Sequence, residues 1–420
     1  MFKKLFVVLA ASLVLLPAVL AEGALNFTST QMEPVAEQKF AKGVLLKGFT
    51  DETGVAVEFI AMPSYHDMFM RLSAEVAAAK VTVSAVGELH SGLDLMNAKG
   101  LFDDLSGITL PDRTFIKALE DYSVMGGRKV YVPWMQATYV MVVNKKAFEH
   151  LPLGLTVEDV TGASEKWTYY ALLNWSKNLN EAFKGPKLGF PMGPKGLWHR
   201  FLHGYIYPSF TGYQAAAFDS LRAVKLWEYL RELRGYMHPA SSTWGAMDEP
   251  LLKEEVLIAW DHTARIKTAL IEKPGDFAIV PVPSGLKGRG YITVAVGLGI
   301  PVQAPEKDSA IKLIEYLTRP DIQVTVLENV GFFPTVKEAE GTIPAGPLKV
   351  LAKGVLTQSG AADSVMVMIP SLGPKGGEFT ATYRDVFTKI VLEEADIGTT
   401  ITEAADKIRA LFEEVGVPMV

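Results

Sequence analysis

Aromatic residues standing beside hydrogen-bonding ones recur along this 420-residue chain. Trp134-Met135-Gln136 follows a β-branched run, Trp198-His199-Arg200 follows a Gly/Pro loop, and Trp260-Asp261-His262 follows the strand-like residues 256–259. Trp244 follows Ser241-Ser242-Thr243, and Phe332-Phe333 follows Gly331. A flat ring can cover the apolar C–H face of a sugar while amides and carboxylates pair with its hydroxyls. A single tryptophan taken alone reads as core. Repetition beside Asp, Gln, His and Arg points to a carbohydrate cleft.

Signatures of bond-making chemistry are missing. There is no Gly-x-Ser-x-Gly elbow, no phosphate-cradling Gly-x-x-x-x-Gly-Lys-Ser/Thr loop and no His-Glu-x-x-His helix. Gly297-Leu298-Gly299 starts like a dinucleotide fingerprint, but Ile300-Pro301 follow where a helix should open. His199 and His203, four apart, form the one metal-like pair, and without a carboxylate motif beside them they read as ordinary polar positions. These motifs give no catalytic, metal or cofactor site.

The elements that must hold these residues alternate between strand and helix. Strands are expected at 24–29, 55–60, 129–133, 139–144, 277–282 and 295–300. Phe40, Val44, Leu45 and Phe49 recur at helical spacing before Gly54, so the chain opens β-α-β, with a parallel pair joined by a crossover helix. Later helices have candidate caps at Asp219, Ser309 and the capping box Thr400-Ile401-Thr402-Glu403. The tetrapeptide Gly-Pro-Lys-Gly occurs twice, at 193–196 and 373–376, too short to signal duplication. The class is α/β.

Composition narrows the partners. A net charge of −6 argues against nucleic acid. The length favours more than one lobe, because single cores stop growing near about 250–300 residues. No cysteine occurs, which removes disulfides, zinc–cysteine sites and a lipid anchor on an N-terminal cysteine. Lys3 and Lys4 precede an apolar run over 5–20 broken by Ser12 and Pro17. This reads as a secretory signal peptide over residues 1–21, too short for a membrane span. A periplasmic or extracellular protein follows, one that is not a lipoprotein.

The order of motifs resembles the sugar-binding class of ABC-importer solute-binding proteins, those similar to maltose- and oligosaccharide-binding proteins. The matching segments are Phe49-Thr50-Asp51-Glu52-Thr53-Gly54-Val55-Ala56-Val57, Lys99-Gly100-Leu101-Phe102-Asp103-Asp104-Leu105, Val130-Tyr131-Val132-Pro133 with Val143-Asn144-Lys145-Lys146, and Gly331-Phe332-Phe333-Pro334-Thr335. Two departures stand out. Val81-Thr82-Val83 occupies the place of a usual Pro-Asp-Val, and a usual glycine is missing around Lys253-Glu254-Glu255.

The resemblance implies a periplasmic-binding-protein-like fold: two α/β lobes joined by a three-segment hinge and closing on ligand. The lobes would comprise 22–136 with 297–331, and 137–296 with 332–420, with crossings near 135–139, 293–297 and 328–334. Implied ligand contacts are Gln31, Glu33, Glu37, Tyr65, His66, Glu88, His90, Trp134, Gln136, Trp260, Asp261, Phe332, Phe333 and Arg384. The implied partners are a small carbohydrate and a membrane permease, with the protein itself a monomer. Two other readings remain open. One is a secreted glycoside hydrolase using Glu88 and Asp261; the other is the same fold holding an anionic sugar derivative through Arg384, Arg265 or Lys195.

Overall fold

The computed structural model describes residues 24–420. The expected signal peptide over 1–21 lies outside them. Among the described residues twelve strands occur, in chain order: β1 (Leu25–Ser29), β2 (Val57–Ala61), β3 (Ala85–Leu89), β4 (Val124–Met125), β5 (Arg128–Lys129), β6 (Val132–Asn144), β7 (Leu188–Gly189), β8 (Ile258–His262), β9 (Phe277–Val280), β10 (Arg289–Gly299), β11 (Phe333–Pro334) and β12 (Ser364–Met368). Ten of them share one mixed sheet, running β2-β1-β3-β10-β6-β8-β7, with β9 and β11 also on β6 and β12 on β10. β4 and β5 form a separate hairpin turned by Gly126-Gly127, both at positive φ as a tight hairpin turn requires.

The opening is the expected parallel pair, Leu25 opposite Val57 through Ser29 opposite Ala61. Its crossover helix differs from the periodicity. Two α-segments, Val35–Phe40 and Leu46–Thr53, flank a π-turn at Ala41–Leu45. A π-turn inserts extra residue into the spiral and rotates the faces that follow. Val44 is accordingly 54% exposed while Leu46 takes an inward position. Gly54 ends the helix in the left-handed conformation that a non-glycine residue adopts only with strain.

Two of the expected strands, at 129–133 and 139–144, are parts of longer structure. β6 runs unbroken for thirteen buried residues. Residues 132–138 pair with β10, and residues 139–144 pair with β8 and β9. β10 likewise extends well upstream of 295, its start pairing with β12. These two antiparallel neighbours belong to both halves of the molecule. The first half contains β1, β2 and β3, and the second β7, β8, β9 and β12.

Cap positions also shift. Ser220 rather than Asp219 caps the helix Leu221–Leu233. Ser309 is buried inside the helix Lys307–Leu317. The last helix begins at Ile397, capped by the Asp396 carboxylate on the Thr399 N–H at 2.8 Å, so Thr400 falls within its first turn. Among the described residues no helix is long and apolar enough to cross a membrane.

Candidate functional site

In an open α/β sheet, ligands bind beyond the carboxyl ends of the strands, where the strand order reverses. Here β1 lies between β2 and β3, so the reversal falls between β1 and β3. Thr30 follows β1 and Glu88 closes β3. The Thr30 hydroxyl donates to the Glu88 carboxylate at 2.7 Å, and the Leu89 N–H donates to its other oxygen at 2.6 Å. Burial pushes the Glu88 carboxyl up to about 7, against the pull of those two bonds. Tyr65 opens the helix Tyr65–Ala77, capped by the Ser64 hydroxyl accepting from the Asp67 N–H, and its ring stacks on Phe69 at 5.9 Å. Gly92 leaves room for both walls, since a Cβ there would meet Glu88 Cγ at 2.7 Å and Tyr65 Cδ2 at 2.9 Å.

Tyr65, Glu88, Leu89 and Gly92 form one wall of a cavity of about 290 Å³, and the opposite wall comes from the second half: Arg200, Ile369-Pro370, Gly373 and Gly376-Gly377. Arg200 is set by the short helix Trp198–Phe201, anchored where Trp198 and Phe201 stack at 4.8 Å inside the core. A π-turn, Leu202–Ile206, follows directly. Gly376 and Gly377 open the helix Gly376–Phe387, which no side chain caps. It continues from a 3-10 turn at Gly373–Lys375, and the Gly376 N–H donates to the Gly373 carbonyl.

The predicted residues separate into groups. Tyr65 and Glu88 line this cavity. His90, whose Nδ1 lies 2.9 Å from the Tyr131 hydroxyl, lines an adjoining space of about 130 Å³ with Asp94 and Tyr122. Gln31 stands behind, donating to Thr30 Oγ1 at 3.0 Å. Glu33 and His66 are exposed and Glu37 is half-buried, its carboxyl raised by burial and by Glu33, and none of the three lines the cavity.

The aromatic platforms are corrected. Trp260 has no exposed surface and stacks on Tyr139 at 4.7 Å, and Trp134, equally buried, packs edge-on to Phe27 at 5.7 Å. Both rings are enclosed by core side chains, Phe27 against Trp134 and Tyr139, Phe201 and Tyr205 against Trp260, so neither is offered to a ligand. Asp261 is fully buried and accepts from the backbone N–H groups of Met247 at 2.9 Å and His262 at 2.7 Å. Burial raises its carboxyl to about 7. Gln136 donates to the Pro334 carbonyl at 2.8 Å, and Phe333 pairs opposite Gln136 behind the sheet. Phe332 is half-buried against the core.

Arg384 donates to the Gly196 carbonyl at 3.3 Å and lies 2.7 Å from His199 Nδ1. Arg265 donates to the Gly245 and Lys195 carbonyls at 2.6 and 3.1 Å. Neither reaches the cavity lining, nor does Lys195. The sequence reading named Arg200 beside Trp198 and His199 but did not include it, or the segment 369–380, among the ligand contacts. The repeated Gly-Pro-Lys-Gly was the available signal: the second copy borders the cavity, and the first supplies the carbonyls that hold Arg384 and Arg265. His199 and His203 have rings 6.0 Å apart, and His203 Nδ1 pairs with the Gln214 amide at 3.1 Å.

A switch-point cavity between two halves joined by shared strands defines a two-part binding protein. The family model for the bacterial extracellular solute-binding protein matches residues 29–324, more than half of the chain, and the chain belongs to that family. Curated proteins give no match by sequence. Among solved structures, the sugar-binding protein MalE of the phytopathogen Xanthomonas citri is similar in fold, with TM-score 0.73 and 15% identity, covering 93% of this chain and 98% of that one. UgpB of Mycobacterium tuberculosis, in complex with glycerophosphocholine, gives 0.67 and 16% over 94% and 99%. Maltose-bound MalE3 of T. maritima gives 0.65 and 17% over 92% and 99%.

Proposed function

We propose that the chain is the extracytoplasmic solute-binding component of an ABC importer, capturing a small sugar between its halves and delivering it to a membrane permease. The observation that carries this reading is the cavity shared by both halves, with Glu88 at the switch point as its hydroxyl acceptor. Ligand pockets run from roughly 300 to 1,000 Å³, so a space of about 290 Å³ suits a mono- or disaccharide better than a longer chain. The lobes would be those of the sequence reading, hinged on β6, β10 and β11. Export by a cleaved leader and a monomeric carrier belong to the same proposal.

Membership in a binding-protein family supports a role without bond cleavage. The hydrolase reading needs two free carboxyls flanking one bond, about 5–9.5 Å apart. Asp261 has both oxygens occupied by backbone N–H groups and does not line the cavity, which disfavours it as Glu88's partner. Titration calorimetry against a panel of neutral and acidic mono- and disaccharides tests the proposal. Saturable binding of one sugar is expected, with no turnover of chromogenic glycosides. Turnover, or no binding across the panel, would overturn it.

A further inference from the structure

Three arginines gather around the second-half wall. Arg200, Arg265 and Arg384 all act on the His199 ring, which burial and these cations hold near 3, while Arg265 and Arg200 help hold His262 near 4. Both imidazoles are therefore neutral at physiological pH. Among the described residues none of the three guanidinium groups lies within ion-pair distance of a carboxylate. Asp261 feels Arg265 and has its oxygens on backbone amides. Positive charge is left in excess at this wall.

The three differ in what they do with their donors. Arg265 and Arg384 spend theirs on carbonyls and an imidazole. Arg200 is half-buried and lines the cavity, with the Tyr139 hydroxyl its hydrogen-bonding neighbour. A guanidinium presents five donors in a fixed fork that matches carboxylate and phosphate oxygens. Taking such a cation partly out of water without a counter-charge is costly. Across the same cavity stands the start of the helix Gly376–Phe387, whose first two residues lack side chains and whose Gly376 N–H is taken by the Gly373 carbonyl. Helix N-termini attract anions through their free N–H groups and the positive end of the dipole.

We propose that the captured solute carries an anionic group, a carboxylate or a phosphate, seated on the Arg200 guanidinium and facing the glycine-lined start of the helix Gly376–Phe387. This deepens the sugar-capture reading and rests on it: the anion meets the second half, and the hydroxyls meet Glu88 and Ser91 on the first. A ligand held this way ties both halves together through opposite chemistry at its two ends. Neutral sugars would leave Arg200 unpaired on closure.

Calorimetry with matched sets decides it, each set holding a neutral aldose, its uronate and its 6-phosphate, with glycerol 3-phosphate added as a non-sugar anion. One acidic member should bind at least tenfold tighter than its neutral counterpart, and the uronate and phosphate arms identify which anion is taken. Arg200→Gln should lose at least tenfold for that acidic member, while Arg200→Lys recovers part of the loss; circular dichroism melting confirms that both variants fold. A neutral sugar binding as tightly as its acids overturns the anion while leaving sugar capture in place. Retained acidic-sugar affinity in Arg200→Gln likewise overturns the role of Arg200. Binding of glycerol 3-phosphate with no sugar bound overturns sugar capture and keeps the anion.

Discussion

The Tyr139 and Trp260 rings lie 4.7 Å apart and within 4° of parallel. They join β6 to β8 at the point where β6 passes from one half to the other. Phe201 and Tyr205 press edge-on against the same indole at 5.3 and 5.2 Å. Removing a buried indole costs about 3–5 kcal/mol, so Trp260→Ala should destabilise the fold by that much in urea unfolding. Trp260→Phe should keep ligand affinity within a few-fold of the parent, because the ring supports the wall without touching the solute.

Glu88 should make stability fall as pH rises. Its carboxyl stands near 7 in the folded chain against 4.5 in an ordinary setting. The native state therefore binds more protons between those values, and the stabilisation present below about pH 4.5 is lost by the time pH passes 7. At 1.36 kcal/mol per unit the effect reaches up to about 3 kcal/mol. Glu88→Gln cannot titrate, so its Tm relative to the parent should rise from pH 4.5 to pH 8. Parallel curves for the two proteins would refute this. Asp261 shifts in the same direction, which is why the difference between parent and variant is the quantity to read.

A methyl group at Gly92 would drive into Glu88 and Tyr65 together. Gly92→Ala should therefore weaken solute binding at least tenfold by pushing the two side chains into the cavity. Calorimetry beside a thermal melt checks this: the affinity loss should exceed what the change in Tm explains.

Gln323 ties two crossings together. Its amide donates to the Trp134 carbonyl at 2.9 Å and to Thr335 Oγ1 at 3.0 Å, and accepts from the Thr335 N–H at 2.7 Å. Gln323→Leu strands buried groups on both segments. Each is worth about 1–3 kcal/mol, and chemical denaturation should report a loss at the upper end of that range or beyond.

Much of the fold was legible because local signals act alone. Gly54 stops a helix whatever surrounds it, and the β-α-β opening follows from two apolar runs and a crossover. The site was less legible. Val44 fails because a π-turn, invisible to a fixed period, rotates the helix face. Trp260 looks like a platform because it stands next to Asp261, yet adjacent residues on a strand point to opposite faces. Which face is covered depends on strands far away in sequence. Arg200 became conspicuous only once the fold showed that no carboxylate reaches it.

The sharing of β6 and β10 has a further consequence for how the molecule comes apart. Melting either half removes the pairing partner of strands in the other. One apolar cluster also runs through both, holding Phe27 and Leu45 together with Ile266 and Leu351. Neither half retains a complete sheet or a complete core once its neighbour is lost. Unfolding should thus be a single cooperative event, seen as one calorimetric peak whose van't Hoff and calorimetric enthalpies agree. A molecule built this way should melt as one body.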